Sequence, residues 1–178
     1  PSRGLGDVYK RQEYVYTPDS NQNYWTQLFL SLGVDVVIGT HPHVLEPVEV
    51  VSDTKGHEML VYYSLGNFVS NQDQKPRMIG GMAKMTLVKD ETGCYVKNYN
   101  LTPVITQKLF GKKAITTYKL SDYTESLASG NAIRNDSGCS DFSLSYCQTL
   151  VKQILGDDYD ESTSELNVSL HPDGLVKD

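Results

Sequence analysis

The chain has 178 residues, of which 39% are hydrophobic, and it carries a formal charge of −6 with an isoelectric point of about 5.2. This apolar content is enough for one domain with a buried core, whereas the acidic balance disfavours a nucleic-acid-binding protein, whose phosphate-binding face needs clustered Lys and Arg. The sequence also lacks the run of about eighteen apolar residues that indicates a membrane-spanning helix.

Residues 7–12 are similar to a translated oligonucleotide of the kind used to prepare sequencing libraries, and residues 1–6 have no better explanation. We exclude them from the fold as a cloning scar and expect natural sequence from Glu13. A first helix is predicted next, with Thr17 as N-cap and Pro18 as first helical residue, and Gly33 ends it. Apolar residues at helical spacing predict the face of this helix that packs on the core: Trp25, Leu28, Phe29 and Leu32.

Two short apolar runs, residues 34–38 and 59–63, predict buried strands. Runs of this kind are typical of parallel strands, and ligands of open α/β sheets bind at the loops that follow such strands. The first run is followed by the glycine-containing loop 39–43, and the second by 64–67. We therefore expect both loops at the same edge of one sheet.

The first of these loops places His41 and His43 on either side of Pro42. In an extended segment, side chains two residues apart leave the same face, so the two imidazoles can point at one centre. Pro42 is expected to hold His41 in the extended region and to restrict the loop further. Imidazole is a common ligand of transition metals, so one interpretation is a metal site, and the other is a pair of histidines that only brace the turn.

Three polar residues lie near these loops: Asn67 and Glu49, each with two possible roles, and His57, with one. Asn67 follows Gly66 in a dipeptide that is frequent in turns for local reasons, or its side-chain carbonyl orients a ligand or substrate oxygen. Glu49 either orients a metal-bound imidazole or carries a charge on the solvent face of a strand. His57 lies in a polar turn and is predicted to be solvent-exposed.

The remainder of the chain predicts a hairpin followed by a helix. Residues 82–88 and 94–104 flank a polar turn and predict an antiparallel hairpin attached to the parallel core. Residues 106–122 are predicted to be extended, 126–140 to form a loop, and 142–155 to form a helix with an apolar stripe. The acidic residues that follow predict a solvated tail, with a calcium site as the alternative: Asp157, Asp158, Asp160 and Glu161.

The three cysteines, Cys94, Cys139 and Cys147, have neither Cys-x-x-Cys nor zinc-ligand spacing. We interpret them as ordinary thiols. Whether Cys139 pairs with Cys147 depends on the redox compartment, which the sequence leaves open.

Two motifs together resemble a known family. Residues 39–49 read GTHPHVLEPVE and residues 62–69 read YYSLGNFV. In content, order and spacing they resemble the closing motifs of the bacterial capsule synthesis protein CapA family, which is associated with poly-γ-glutamate capsule biosynthesis and is similar to calcineurin-like metallophosphoesterases. The chain departs from the family pattern at Thr40, where histidine is frequent, and at Glu46, where glutamine is usual.

The resemblance implies an α/β fold with an α+β tail, namely the C-terminal part of a metallophosphoesterase-like sheet-and-helix domain that is truncated at the N-terminus. Residues 13–122 are then the remaining part of that domain, and residues 123–178 are a loop, a helix and an acidic tail. The early Gly-Asp, Asn-His and His-Trp-Gly motifs of the family are expected upstream of this fragment. We therefore predict that the 178 residues alone are inactive.

The resemblance also implies a site, in which His41 and His43 are metal ligands and Asn67 and Glu49 are candidate catalytic residues. The implied cofactor is a divalent ion: manganese, iron or zinc. For the full-length protein we expect a metal-dependent, phosphoesterase-like hydrolase acting on a phosphoester or a polyglutamate. The alternative is a non-catalytic component of a membrane complex that assembles or exports a capsule polymer. An extracytoplasmic location, anchored through an N-terminal segment, follows from the family.

Overall fold

The computed structural model describes residues 16–91, 93–109 and 114–170, which form two sheets and three α-helices. The proposed cloning scar lies outside these residues. The helices are α1 Ser20–Ser31, α2 Glu125–Ser129 and α3 Leu144–Leu155. The strands are β1 Val36–Ile38, β2 Val48–Ser52, β3 Glu58–Tyr62, β4 Ile79–Asp90, β5 Gly93–Leu109, β6 Ala114–Lys119, β7 Tyr159–Asp160 and β8 Glu165–Ser169. The predicted mixed α/β class is confirmed.

The smaller sheet has three strands in the order β1-β3-β2. Strand β1 runs parallel to β3, with Ile38 opposite Tyr62, and β2 runs antiparallel to β3, with Glu49 opposite Val61. Four of the five residues of β3 are buried, because both faces of this central strand are covered. The predicted parallel pair is confirmed, so the loops after β1 and β3 leave from the same edge.

Helix α1 begins later than the sequence predicts. Its N-cap is Asp19, whose carboxylate accepts the N–H of Gln22, while the Gln22 side chain accepts the N–H of Asp19. This reciprocal capping box satisfies two backbone donors that the helix itself leaves unpaired. The prediction of Thr17 as N-cap and Pro18 as first helical residue is therefore wrong.

The end of α1 was predicted correctly, whereas its core-facing side was not predicted in full. Helix α1 is followed by Gly33, whose φ of +72° suits a glycine after a helix, so the predicted end is confirmed. Leu30 is 4% exposed and packs with residues of β3, whereas Leu32 is 69% exposed. Placing Leu32 on the core face was wrong, because it lies at the C-cap of the helix, beyond the last turn.

The larger sheet is antiparallel and has the order β4-β5-β8-β7, with β6 also paired to β5. The predicted hairpin is its long β4–β5 pair, whose register shifts once, between Thr86 and Leu87. The four predicted acidic residues are exposed, so their predicted solvation is confirmed, but they do not form a tail. Asp157 and Asp158 lie in a 3₁₀ turn, Asp160 is in β7, and β8 then pairs with β5. The pairing satisfies the backbone groups of β5 on that edge, which an unpaired tail would leave open.

The main core lies between the two sheets and α3. Tyr62 of β3 packs edge-to-face on Tyr99 of β5, at 6.4 Å between ring centroids, and Phe142 just before α3 is fully buried. Burying one such aromatic side chain contributes about 1.5–3 kcal/mol. The predicted division at residue 122 stays a prediction, although residues on both sides of it share this core.

The helical predictions for the second half were partly wrong. Helix α3 confirms the predicted helix, with the Ser143 hydroxyl as N-cap. In the predicted loop 126–140, however, Thr124 caps α2 and Asn131 caps a 3₁₀ turn, Ala132–Asn135. Short polar caps allow such brief helices without a long apolar stripe. No helix among the described residues has the length and apolar content needed to cross a membrane.

Candidate functional site

The segments after β1 and β3 are joined by hydrogen bonds at one edge of the smaller sheet. We call residues 39–46 the histidine loop and residues 64–68 the asparagine loop. The Ser64 hydroxyl donates to the Val44 carbonyl at 2.8 Å and accepts the Gly66 N–H at 3.1 Å, and the Glu46 N–H donates to the Ser64 carbonyl. The parallel strands thus bring the two predicted loops together, and hydrogen bonds to Ser64 hold them there.

Two glycines allow backbone segments to approach closely at this edge. A Cβ on Gly39 would lie 2.1 Å from the Tyr63 carbonyl oxygen, and one on Gly80 would lie 2.2 Å from the Asn67 carbonyl oxygen. No side chain fits at either place without moving backbone. Gly80 is the second residue of β4, so the larger sheet packs directly against the asparagine loop.

The backbone at the two histidines is not extended. His41 has a φ of +109° and His43 a φ of +60°, so the expectation that Pro42 holds His41 in the extended region is wrong. Proline disfavours the right-handed helical conformation of the residue before it, which leaves other conformations open. Non-glycine residues in such conformations cost about 1–3 kcal/mol each and cluster at functional sites. The two rings are 6.3 Å apart between centroids, with their planes tilted by 41°.

Asn67 fixes the orientation of His43. Nδ1 of His43 lies 2.9 Å from Oδ1 of Asn67, and Nδ2 of Asn67 donates to the carbonyls of His43 and Arg77 at 3.1 and 3.0 Å. Since both Nδ2 protons have carbonyl acceptors, the oxygen of Asn67 is the atom that faces the ring. Nδ1 of His43 must then be the donor, and neutral His43 presents the lone pair of Nε2.

This arrangement fits a metal ligand on His43. Histidines that bind a metal usually donate their other ring N–H to a carbonyl or carboxylate oxygen, as Nδ1 of His43 does to Asn67. Over residues 16–91, 93–109 and 114–170, no group of three or more His, Cys, Asp or Glu side chains is placed to hold an ion. From the two loops, His41 and His43 are the residues that could contribute to one.

Glu49 lies on β2, where its side chain is exposed. Burial is the largest cause of the raised pKa of Tyr63, and the charge of nearby Glu49 adds to it. Glu49 therefore acts on Tyr63, whereas Asn67 is hydrogen-bonded to the histidine loop.

Glu46, for which the sequence predicted no role, is only 2% exposed. Burial raises its pKa from the ordinary 4.5 to about 7; a hydrogen bond from Gln22 opposes this, and the nearby charge of Asp19 adds to it. Glu46 therefore joins the histidine loop to the N-terminus of α1. The available signal was that Glu46 stands where glutamine is usual in the family pattern.

The other predicted positions lie elsewhere. His57 is half-buried and its Nε2 lies 3.0 Å from the carbonyl oxygen of Val34, so the prediction that it is solvent-exposed is wrong. That bond ties the turn before β3 to the segment before β1. Cys139 and Cys147 are buried free thiols, and Cys94 is an exposed one.

Residues 10–72 match the family model described as bacterial capsule synthesis protein PGA_cap. The chain is 34% identical over 93 residues to the PGA biosynthesis protein CapA of Bacillus subtilis (strain 168), which covers 52% of this chain and 22% of that protein. It is also 34% identical over 77 residues to the capsule biosynthesis protein CapA of Bacillus anthracis, a match that covers 40% of this chain and 18% of that protein. The chain therefore matches about a fifth of the length of these relatives. No solved structure matches it.

Proposed function

Because the chain belongs to the bacterial capsule synthesis protein family through residues 10–72, we propose that its two loops form part of a metal-dependent hydrolytic site used in making or trimming a capsule polymer. The substrate class is a phosphoester or an amide or ester of poly-γ-glutamate. The observation that carries the proposal is the bond from His43 Nδ1 to Asn67, because it leaves Nε2 as the free, oriented nitrogen.

His41 and His43 would hold a divalent ion of manganese, iron or zinc. Such an ion, when bound, polarises a phosphoryl or amide oxygen and lowers the pKa of a coordinated water. The chain itself supplies the positioning. Asn67 keeps the proton of neutral His43 on Nδ1, Ser64 holds the asparagine loop against the histidine loop, and Gly80 lets β4 pack against the asparagine loop. Fixing the ring in this way avoids reorganisation when a ligand binds.

A metal-binding experiment on the purified chain tests this proposal. Titration with Mn²⁺, Zn²⁺ or Co²⁺, followed by ¹⁵N NMR of the histidine rings, should show binding at Nε2 of His43. His43→Ala should abolish it, and Asn67→Ala should weaken it by about 10- to 100-fold, the effect typical of a lost orienting partner. The matched control is His57→Ala, which also removes one hydrogen-bonded imidazole but lies in the turn before β3.

The same spectra report the proton position without any metal. At a pH where the ring is neutral, His43 should be almost entirely protonated on Nδ1, and Asn67→Ala should shift it towards the mixture typical of a free imidazole. Equal loss of metal binding in the His57→Ala and His43→Ala variants would contradict the proposal. So would a His43 ring that is protonated on Nε2.

A second candidate function is a capsule-assembly component without turnover. This role needs no complete metal site, and the described residues place no third acidic, cysteine or histidine ligand near the two imidazoles. We expect no phosphoester hydrolysis by these 178 residues, whichever candidate is correct for the whole protein. Turnover by the purified chain that His43→Ala abolishes would favour the hydrolase and contradict this expectation.

The cellular setting is also a proposal. An extracytoplasmic site at the membrane, within a complex that assembles or exports the polymer, agrees with the processes named for the two relatives, PGA biosynthesis and capsule biosynthesis. Fractionation of cells that express the whole protein, with protease added outside the membrane, would test it.

A further inference from the structure

One face of the larger sheet is polar and open, opposite the face that packs on the core. Strand register places its side chains in three rows across β4, β5 and β8. The central row is Lys84, Asn100 and Asn167, and Thr86 lies opposite Asn98 in the next row. These side chains line a groove of about 740 Å³ on this face of the sheet, which we call the polar groove.

The middle of the polar groove is a hydrogen-bonded network. The carboxylate of Glu165 accepts bonds from the Thr102 hydroxyl and from the side-chain amides of Asn100 and Asn167. Asn100 also donates to Asn167 at 2.7 Å and accepts from Thr102 at 3.1 Å. Three hydrogen-bond donors thus stabilise the carboxylate of Glu165, and the side-chain amides of Asn100 and Asn167 hold each other in place. A surface of mutually bonded side chains loses little further entropy when a ligand binds.

Two lysines border this network. Lys84 and Lys119 are exposed, and within the described part of the chain neither has a carboxylate at ion-pair distance. Lys119 pairs in register with Val104, four residues along β5 from Asn100, so the two cations flank the groove from opposite sides of β5. The groove therefore offers two free positive charges although the chain as a whole carries −6.

We propose that the polar groove binds an extended polyamide that carries carboxylate groups, with its carboxylates at Lys84 and Lys119 and its amides at Asn98 and Asn167. This inference rests on the proposed function, for which poly-γ-glutamate is the polymer. Each repeat of such a chain has one amide and one free carboxylate, which match the side-chain amides of Asn98 and Asn167 and the charge of the lysines. Asn100, whose amide hydrogens already bond to Glu165 and Asn167, holds Asn167 in place. An open groove suits an extended polymer better than a closed pocket does.

The polar groove also leads towards the candidate site. Gly80, which packs on Asn67, lies four residues before Lys84 on β4, a distance of about 14 Å along a strand. A polymer held in the groove therefore lies within a few repeats of the histidine loop. Binding energy gained away from the reacting bond can in this way position a long substrate.

The test is a titration of the purified chain with poly-γ-glutamate of defined length, followed by calorimetry and by amide NMR. The double variant Lys84→Glu/Lys119→Glu should weaken binding at least tenfold, and Asn98→Ala should weaken it by a smaller factor. The control double variant Lys55→Glu/Lys89→Glu makes the same charge change on exposed lysines that do not line the groove. It should change the affinity less than twofold.

Three outcomes would overturn the inference. The first is that poly-γ-glutamate does not bind, and the second is that the two double variants weaken its binding equally. The third is that polygalacturonate, which carries carboxylates without backbone amides, binds as well as poly-γ-glutamate does. The His43→Ala variant separates this inference from the proposed function, because it removes metal binding and should leave polymer binding intact. Polymer binding that survives while no metal binds would support the groove and contradict the metal site.

Discussion

The histidine and asparagine loops differ from the β4–β5 hairpin in what holds their backbone in place. In the loops, side chains bond to main-chain groups: Ser64 to the Val44 carbonyl, and Asn67 to the carbonyls of His43 and Arg77. In the hairpin, the strands hold each other through twelve paired positions with one register shift. Its side chains therefore remain available to the core on one face and to solvent or a ligand on the other.

This difference predicts where substitutions are tolerated in each region. In a regular ladder, the backbone keeps its partners when a side chain changes. In the two loops, replacing Ser64 or Asn67 removes a partner from the backbone and leaves a candidate ligand less well positioned.

The largest expected effect comes from placing the same methyl group in each region. A Cβ on Gly39 would meet the Tyr63 carbonyl oxygen at 2.1 Å, whereas one on Gly81 of β4 would meet the Leu101 side chain at 3.0 Å. Main chain cannot move aside as a leucine side chain can. Gly39→Ala should therefore lower the free energy of unfolding by about 3 kcal/mol, and Gly81→Ala by about 1 kcal/mol or less.

Urea denaturation of the two variants measures this contrast. The comparison between the regions would fail if Gly81→Ala were the more destabilising change. Gly39→Ala should also abolish the Asn67-dependent protonation of His43 on Nδ1, because the histidine loop begins at Gly39.

The sequence predicts the elements far better than it predicts the loop conformation. Parallel pairing of β1 with β3 and the β4–β5 hairpin follow from local apolar patterns, and the structure has both. The positive φ values of His41 and His43 carry no such pattern, because they result from contact with the asparagine loop, which is distant in sequence. The pairing of β8 with β5 is likewise a long-range contact, so the acidic residues before it gave no sign of a sheet.

Glu46 offers a second way to sharpen the comparison, through pH. Its pKa is about 7 in the folded chain and near 4.5 when unfolded, chiefly because of burial. Between these values the folded state binds more protons, so the free energy of unfolding falls as pH rises from about 5 to 8, by at most about 3 kcal/mol. Glu46→Gln should remove this fall and be the more stable protein at pH 8.

Urea denaturation across this pH range provides the measurement. Glu49→Gln is the matched control, because it removes the same charge from an exposed position on β2 and should retain the fall seen in the unmodified chain. If Glu46→Gln kept the same pH dependence, then the buried carboxyl of the histidine loop would not be its source.

The smallest expected effect compares the N-caps of the two long helices. Asp19→Ala and Ser143→Ala each remove a side chain that accepts a helix N–H, at a cost of about 1 kcal/mol. The Asp19 charge also raises the pKa of Glu46, so its removal relieves repulsion once Glu46 is ionised. Asp19→Ala should therefore lower the free energy of unfolding less at pH 8 than at pH 5, whereas Ser143→Ala should lower it equally at both.

Asp19→Asn is the control, because it keeps the capping oxygen and should show only the gain in stability at pH 8. An equal pH response of the two alanine variants would mean that the start of α1 acts as an ordinary helix end, without electrostatic coupling to the histidine loop.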